Sequence, residues 1–245
     1  MKILLILFLG INILHSQTVV TESTSKLPKF TFMFSGSMTT LWDGSASSYY
    51  RDVEYLTQPT FFVGASTPGV VAVSKQNSNV SVSPMFTLST FYRPHKDWSF
   101  GSVRVSRFTV SRETYFPFMT PTGSIDASIK TNHIVYPMSI GGGISNPQLS
   151  GVRAELGVIY ALAQIREESS LTGYPSVTAS SNGQGFGLYF ILSPRLEIVN
   201  SVILNLEVSY RWLNIWYYRD NNNFIGMNSF SYDGFIYSIG LETAF

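Results

Sequence analysis

The feature that most constrains this 245-residue chain is period-2 alternation of apolar and polar residues, repeated in eight pieces. Alternation at this period places every second side chain on one face of a strand. The pieces are residues 29–43, 80–92, 97–110, 131–145, 151–164, 184–198, 202–216 and 233–245. Each exceeds the roughly 9–11 residues that a tilted strand needs to cross a bilayer. The later ones alternate most clearly. In 151–164, Val152, Ala154, Leu156, Val158, Tyr160 and Leu162 share one face; in 202–216, Val202, Leu204, Leu206, Val208, Tyr210, Trp212 and Trp216 do.

Soluble sandwiches also alternate, so the connections carry the decision. In chain order they are 36, 4, 20, 5, 19, 3 and 16 residues long. Long and short connections alternate strictly, as in membrane barrels with short turns on one side and long loops on the other. The spacing therefore predicts an all-β fold, an eight-stranded antiparallel transmembrane up-and-down barrel with both termini on the short-turn, periplasmic side. The first long connection holds two short apolar runs, Thr60–Ala65 and Val70–Val73, around Pro68-Gly69. They are read as a hairpin above the membrane or as an extra strand pair, which would make ten strands.

The N-terminus reads as a signal peptide over residues 1–16: Lys2 supplies positive charge, and Ile3–Leu14 is too short to span as a helix. The rival reading is an N-terminal anchor. Residues 17–28 then form a periplasmic segment and 29–245 the barrel. With no cysteine, disulfides, thiolate metal sites and a lipoprotein anchor are excluded. Charged residues are 13% of the chain, about half the usual share, and nearly balanced in sign. No nucleic-acid surface is expected from such a balance.

Fixing the lipid-facing phase lists the inward charges: Arg104, Arg153, Glu155, Arg195, Glu197, Glu207, Arg211 and Glu242. An Arg facing lipid at the midplane would cost about 2–4 kcal/mol. Inside an eight-stranded barrel these charges should interlock as a salt-bridge network that plugs the lumen. Trp42, Trp212 and Trp216 fall at outer strand ends and Tyr92 and Trp98 at periplasmic ends, as two aromatic girdles. Two features fit poorly. The phase of 97–110 turns Arg107 outward and misplaces Trp98 unless a bulge intervenes, and Pro137 removes a ladder hydrogen bond in mid-strand.

The last strand carries Tyr237, Ile239 and Leu241 at period-2 spacing and ends on Phe245, with Thr243 in place of a more usual hydrophobic residue. This resembles the C-terminal signal that the barrel assembly machinery of bacterial outer membranes reads. In strand count, gap rhythm and C-terminus the chain resembles the small OmpA/OmpX-type outer-membrane barrels. No peptidoglycan-binding domain follows the barrel in this sequence. The resemblance implies a monomer in the outer membrane of a Gram-negative-type cell, among lipid and lipopolysaccharide, reached after export. It leaves any surface partner unnamed.

Chemistry is sparse. His95 sits in a predicted turn with Arg93 and Lys96, a solvated cluster. His133 faces inward near the outer end of the fourth segment, with Thr131 nearby, where a Ser, Asp or Glu partner would be needed for a rim-sited lipid-modifying enzyme. Gly141–Gly143 has no phosphate-loop context and is read as permitting curvature or close packing, and Asp220–Asn223 as an ordinary loop. The reading is a non-enzymatic barrel without cofactor or metal, structural or surface-interacting through its loops. A narrow channel or carrier for small or apolar solutes is the alternative.

Overall fold

A computed structural model describes residues 30–41, 71–72, 77–94, 99–120, 123–146, 151–173, 175–199, 201–217 and 229–244. Residues 1–29 (the signal peptide and N-terminal segment), Trp42, Thr60–Ala65, His95, Lys96, Trp98, Asp220–Asn223 and Phe245 lie outside the described residues.

The strands are β1 (Phe30–Leu41), β2 (Val71–Ala72), β3 (Asn77–Val82), β4 (Met85–Tyr92), β5 (Ser99–Thr120), β6 (Gly123–Ser145), β7 (Gly151–Leu171), β8 (Val177–Val199), β9 (Val202–Tyr217), β10 (Ser229–Ser231) and β11 (Gly234–Ala244). All pairings are antiparallel. They run β9-β11-β1-β4-β5-β6-β7-β8, and β8 pairs back onto β9, closing a ring of eight strands. Closure leaves no sheet edge around the ring, the condition for a sheet to cross lipid. The three short strands lie outside the ring count: β3 continues β4 upward along β5, β2 continues it further, and β10 continues β11 along β9. The run at Val71–Ala72 is therefore part of a wall above the barrel, and the ring holds eight strands rather than ten.

Two long loops expected from the sequence are corrected. The stretches 111–130 and 165–183 continue the strands, so that β5–β6 and β7–β8 are hairpins of 21–23-residue strands. Their polar sequences stay extended because the register runs on unbroken, from Val110↔His133 to Thr120↔Gly123 and from Ile165↔Ser181 to Ser169↔Val177. Backbone pairing holds a strand where side-chain hydrophobicity has ended.

The exterior band is apolar. On β7 its outward residues run from Val152 to Leu162 before Gln164 and Arg166 follow. Those ten steps cover about 33 Å of strand, which a tilt of ~40° converts to about 25 Å, the height of a bilayer-spanning band. Leu88, Ile140, Leu156 and Ile239 on this face are each about 60% exposed, which burial in lipid would explain and water would not.

Arg107 and Pro137 are each accommodated locally. Arg107 does face outward and lies against the Tyr136 ring, 6.0 Å from its centroid, at the upper edge of the band. No bulge interrupts β5 against β6; the ladder skips the pairs opposite Pro137 and Tyr136 and resumes in register. The bulge lies instead at Ser83–Pro84, where the register of β3–β4 against β5 shifts by one residue and Ser83 Oγ accepts from Thr109 N–H at 2.8 Å.

Candidate functional site in the lumen

The lumen is filled in layers. Near the short-turn end Met33, Phe91 and Phe100 pack together. Above them lie Arg and Glu side chains, and above those a large apolar and aromatic cluster including Phe108, Leu213, Ile215, Tyr217, Phe230 and Tyr232. Alternation delivers each inward residue, and strand tilt staggers them so that side chains from distant strands meet.

Five of the eight inward charges form one connected network. Arg153, fully buried, donates from Nη1 to Glu242 at 3.0 Å and from Nη2 to Glu207 at 2.9 Å and Asn205 at 3.2 Å. Its guanidinium stacks 4.0 Å from the centroid of Phe91. Arg104 is shared between two carboxylates, donating to Glu155 (2.6 and 3.0 Å) and to Glu207 (3.0 and 3.1 Å). Glu155 also accepts from Ser102 and from Tyr189, each at 2.6 Å, and Glu242 from Thr31 at 2.6 Å. A buried ion pair is tolerable only when further hydrogen bonds satisfy its remaining lone pairs and protons; the carboxylates here are so satisfied, while Arg153 Nε has no described protein acceptor.

The other three inward charges differ. Arg195 is buried and donates to the Asn146 carbonyl at 2.8 Å, and Glu197 is only half-buried, beside the β8 register irregularity. Arg211 stands apart from the network. Its Nε donates to the Tyr232 carbonyl at 3.1 Å, and its guanidinium lies 4.4 Å from the Phe108 centroid. Among the described residues it has no ion pair.

Arg93 corrects the reading of a solvated turn. It is buried, with Nη2 3.6 Å from Glu242 and Nη1 3.5 Å from Thr31. It follows the inward Phe91 by two residues, so parity turns it in, and its long stem reaches back toward the carboxylate. Arg112 and Glu167, taken as loop residues from the sequence, are also buried and inward, because the loops are strands.

His133 is buried rather than at a rim, since β6 begins ten residues before it. Its Nδ1 bonds the Tyr232 hydroxyl, with the Tyr217 hydroxyl at 3.5 Å, and the Phe230 ring packs edge-on at 4.7 Å. Among the described residues no Ser, Asp or Glu side chain reaches it, so it lacks the partner that a triad needs.

Glycine makes room for one network member. Gly157 and Gly141 face inward beneath Tyr189; a Cβ at Gly157 would fall 2.6 Å from the Tyr189 hydroxyl. Gly157→Val is expected to displace Tyr189 from Glu155 and lower the urea midpoint of the folded barrel. An unchanged midpoint would show that the strand yields instead.

Outside, Tyr92, Trp212 and Trp216 are exposed on the lipid-facing side, Tyr92 packing on Phe30 with centroids 4.9 Å apart. Tyr237, Ile239 and Leu241 face outward on β11, the strand that closes on β1.

No protein-family model and no curated protein matches the chain. Solved structures similar to it include Neisserial surface protein A (14% identity, 89% of this chain and 97% of that one, TM-score 0.39). Outer membrane protein AlkL is similar at 12% identity, covering 94% and 95%, with TM-score 0.39. OprG from Pseudomonas aeruginosa is similar at 14%, covering 90% and 97%, with TM-score 0.35. At such identities and scores nothing about role passes from them to this chain. The ring of eight strands, the apolar exterior and the ionic interior are the chain's own: it is an eight-stranded antiparallel transmembrane barrel, resembling the small OmpA/OmpX-type outer-membrane barrels.

Proposed function

We propose that the chain is an integral outer-membrane barrel whose lumen is closed, and that it acts through the hairpins raised above the apolar band, as a structural or surface-interacting protein. The observation that supports the closed lumen most is Arg153, fully buried while bridging carboxylates from two other strands, β9 and β11. A side chain so held leaves no continuous water path beside it. The aromatic layer above, with Tyr217 and Tyr232 hydrogen-bonded at 2.7 Å, supports the same reading from the other end. The hairpins supply the surface: β5–β6 and β7–β8 extend the wall with Ser128, Lys130, Arg166, Glu168, Thr178 and Ser180 pointing outward or exposed. Export, the lipopolysaccharide surroundings and assembly from the Tyr237–Leu241 strand belong to this same proposal.

In planar bilayers the purified barrel is expected to give little or no conductance. Large, steady single-channel steps would replace this reading with the channel alternative. Boiled and unboiled samples are expected to migrate differently on a gel, and identical migration would reject the barrel itself.

A further inference from the structure

Between the Arg–Glu network and the aromatic layer lies a cavity of about 50 Å³. Its wall includes Arg211 and the hydroxyl-bearing Ser106, Ser139 and Ser238. A space of this size holds about three or four waters, or one monatomic anion with a water or two. Glu207 also borders it, but both its oxygens are taken by Arg104 and Arg153.

Arg211 is almost fully buried, 2% exposed. Of its guanidinium nitrogens, Nε serves the Tyr232 carbonyl and Nη1 approaches the Met85 sulfur at 3.9 Å, while no described protein group accepts from Nη2. Asp233 is on the adjoining chain, but its Oδ1 accepts from Leu213 N–H at 2.7 Å and it forms no ion pair with Arg211. Among the described residues the buried carboxylates Glu155, Glu207 and Glu242 are bound to Arg93, Arg104 and Arg153, none of them to Arg211. A guanidinium cannot shed its charge as a buried lysine can, because its proton is held too tightly. Asp233 acts on the guanidinium only at a distance, so the buried Nη2 still calls for an acceptor from solution.

We propose that this cavity is a binding site for a small monovalent inorganic anion, a halide, held by Arg211 Nη2 and by the serine hydroxyls. The site is small and exists only in the closed barrel, so the ion binds the folded form and stabilises it by mass action. Binding is independent of the closed-lumen reading: a conducting barrel could hold the ion, and a closed one could lack it.

The test folds the full chain from urea into detergent micelles in sodium bromide or in sodium gluconate at equal ionic strength. Gluconate is too large for the cavity. The thermal midpoint, read from heat-modifiable migration, is expected to be higher in bromide and to lose that difference in Arg211→Met. Crystals grown from the bromide preparation are expected to show an anomalous peak within hydrogen-bond distance of the Arg211 guanidinium. Equal midpoints in the two salts for the unmodified protein, or no anomalous peak beside Arg211, would overturn the proposal. Both of these readings use the unmodified chain, so they decide the matter even where Arg211→Met does not fold. Bilayer conductance reports separately on the lumen and leaves this result untouched.

Discussion

Arg153→Ala is expected to destabilise the barrel by about 3–5 kcal/mol, the usual cost of removing one member of a buried ion-pair network. Arg153 joins Glu207, Glu242 and Asn205 and lies over Phe91. Its loss leaves Glu242 with Thr31, Asn205 and Arg93, the last at 3.6 Å, and leaves Glu207 to Arg104 alone. The measurement is the urea dependence of folding into lipid vesicles, followed by tryptophan fluorescence. Arg153→Lys retains the charge but not the two-pronged geometry, and is expected to lose an intermediate amount. Pairing Arg153→Met with Glu242→Gln should cost less than the sum of the single changes, because the second substitution removes the carboxylate the first has stranded. Additive losses would show that the two side chains do not act together.

The second large effect lies on the outer face. Leu206 sits near the middle of the β9 band, opposite Ile239. Leu206→Arg and Ile239→Arg are each expected to cost about 2–4 kcal/mol and to reduce the heat-modifiable fraction. Leu241→Arg lies one outward step nearer the short-turn edge, opposite Leu204, and is expected to cost somewhat less since its guanidinium can reach the interface. Ser180→Arg, exposed on β8 above the band, is expected to be neutral. Equal tolerance at all four positions would reject the lipid-facing phase.

How far the site can be read ahead depends on which residues are asked. Arg104, Arg153, Glu155, Glu207 and Glu242 are legible as inward-facing because the apolar residues beside them fix the phase. Arg93 is not legible, since it lies just past the last alternating residue, where strand and turn look alike. Arg112 and Glu167 stand in stretches with no apolar alternation, and only the neighbouring strand holds them extended. Leu213 and Ile215 show why the upper aromatic layer is hidden. From Trp212 to Trp216 large apolar residues stand on both faces and Asn214 falls on the outward one, so periodicity has little contrast to report.

The alternating segments alone determine which face their residues take and that the fold is an antiparallel barrel with alternating short and long connections. Those follow from local rules: period-2 geometry, the cost of charge in lipid, and the length of a spanning strand. The closed structure decides that the ring holds eight strands rather than ten, which Arg meets which Glu, that Arg211 is left outside the network beside a cavity, and that polar stretches rise as hairpins above the band. Those outcomes depend on strand tilt and stagger, which bring residues more than a hundred positions apart, such as Arg104 and Glu207, to 3.0 Å. Register between strands is a property of the closed ring, and no single segment contains it.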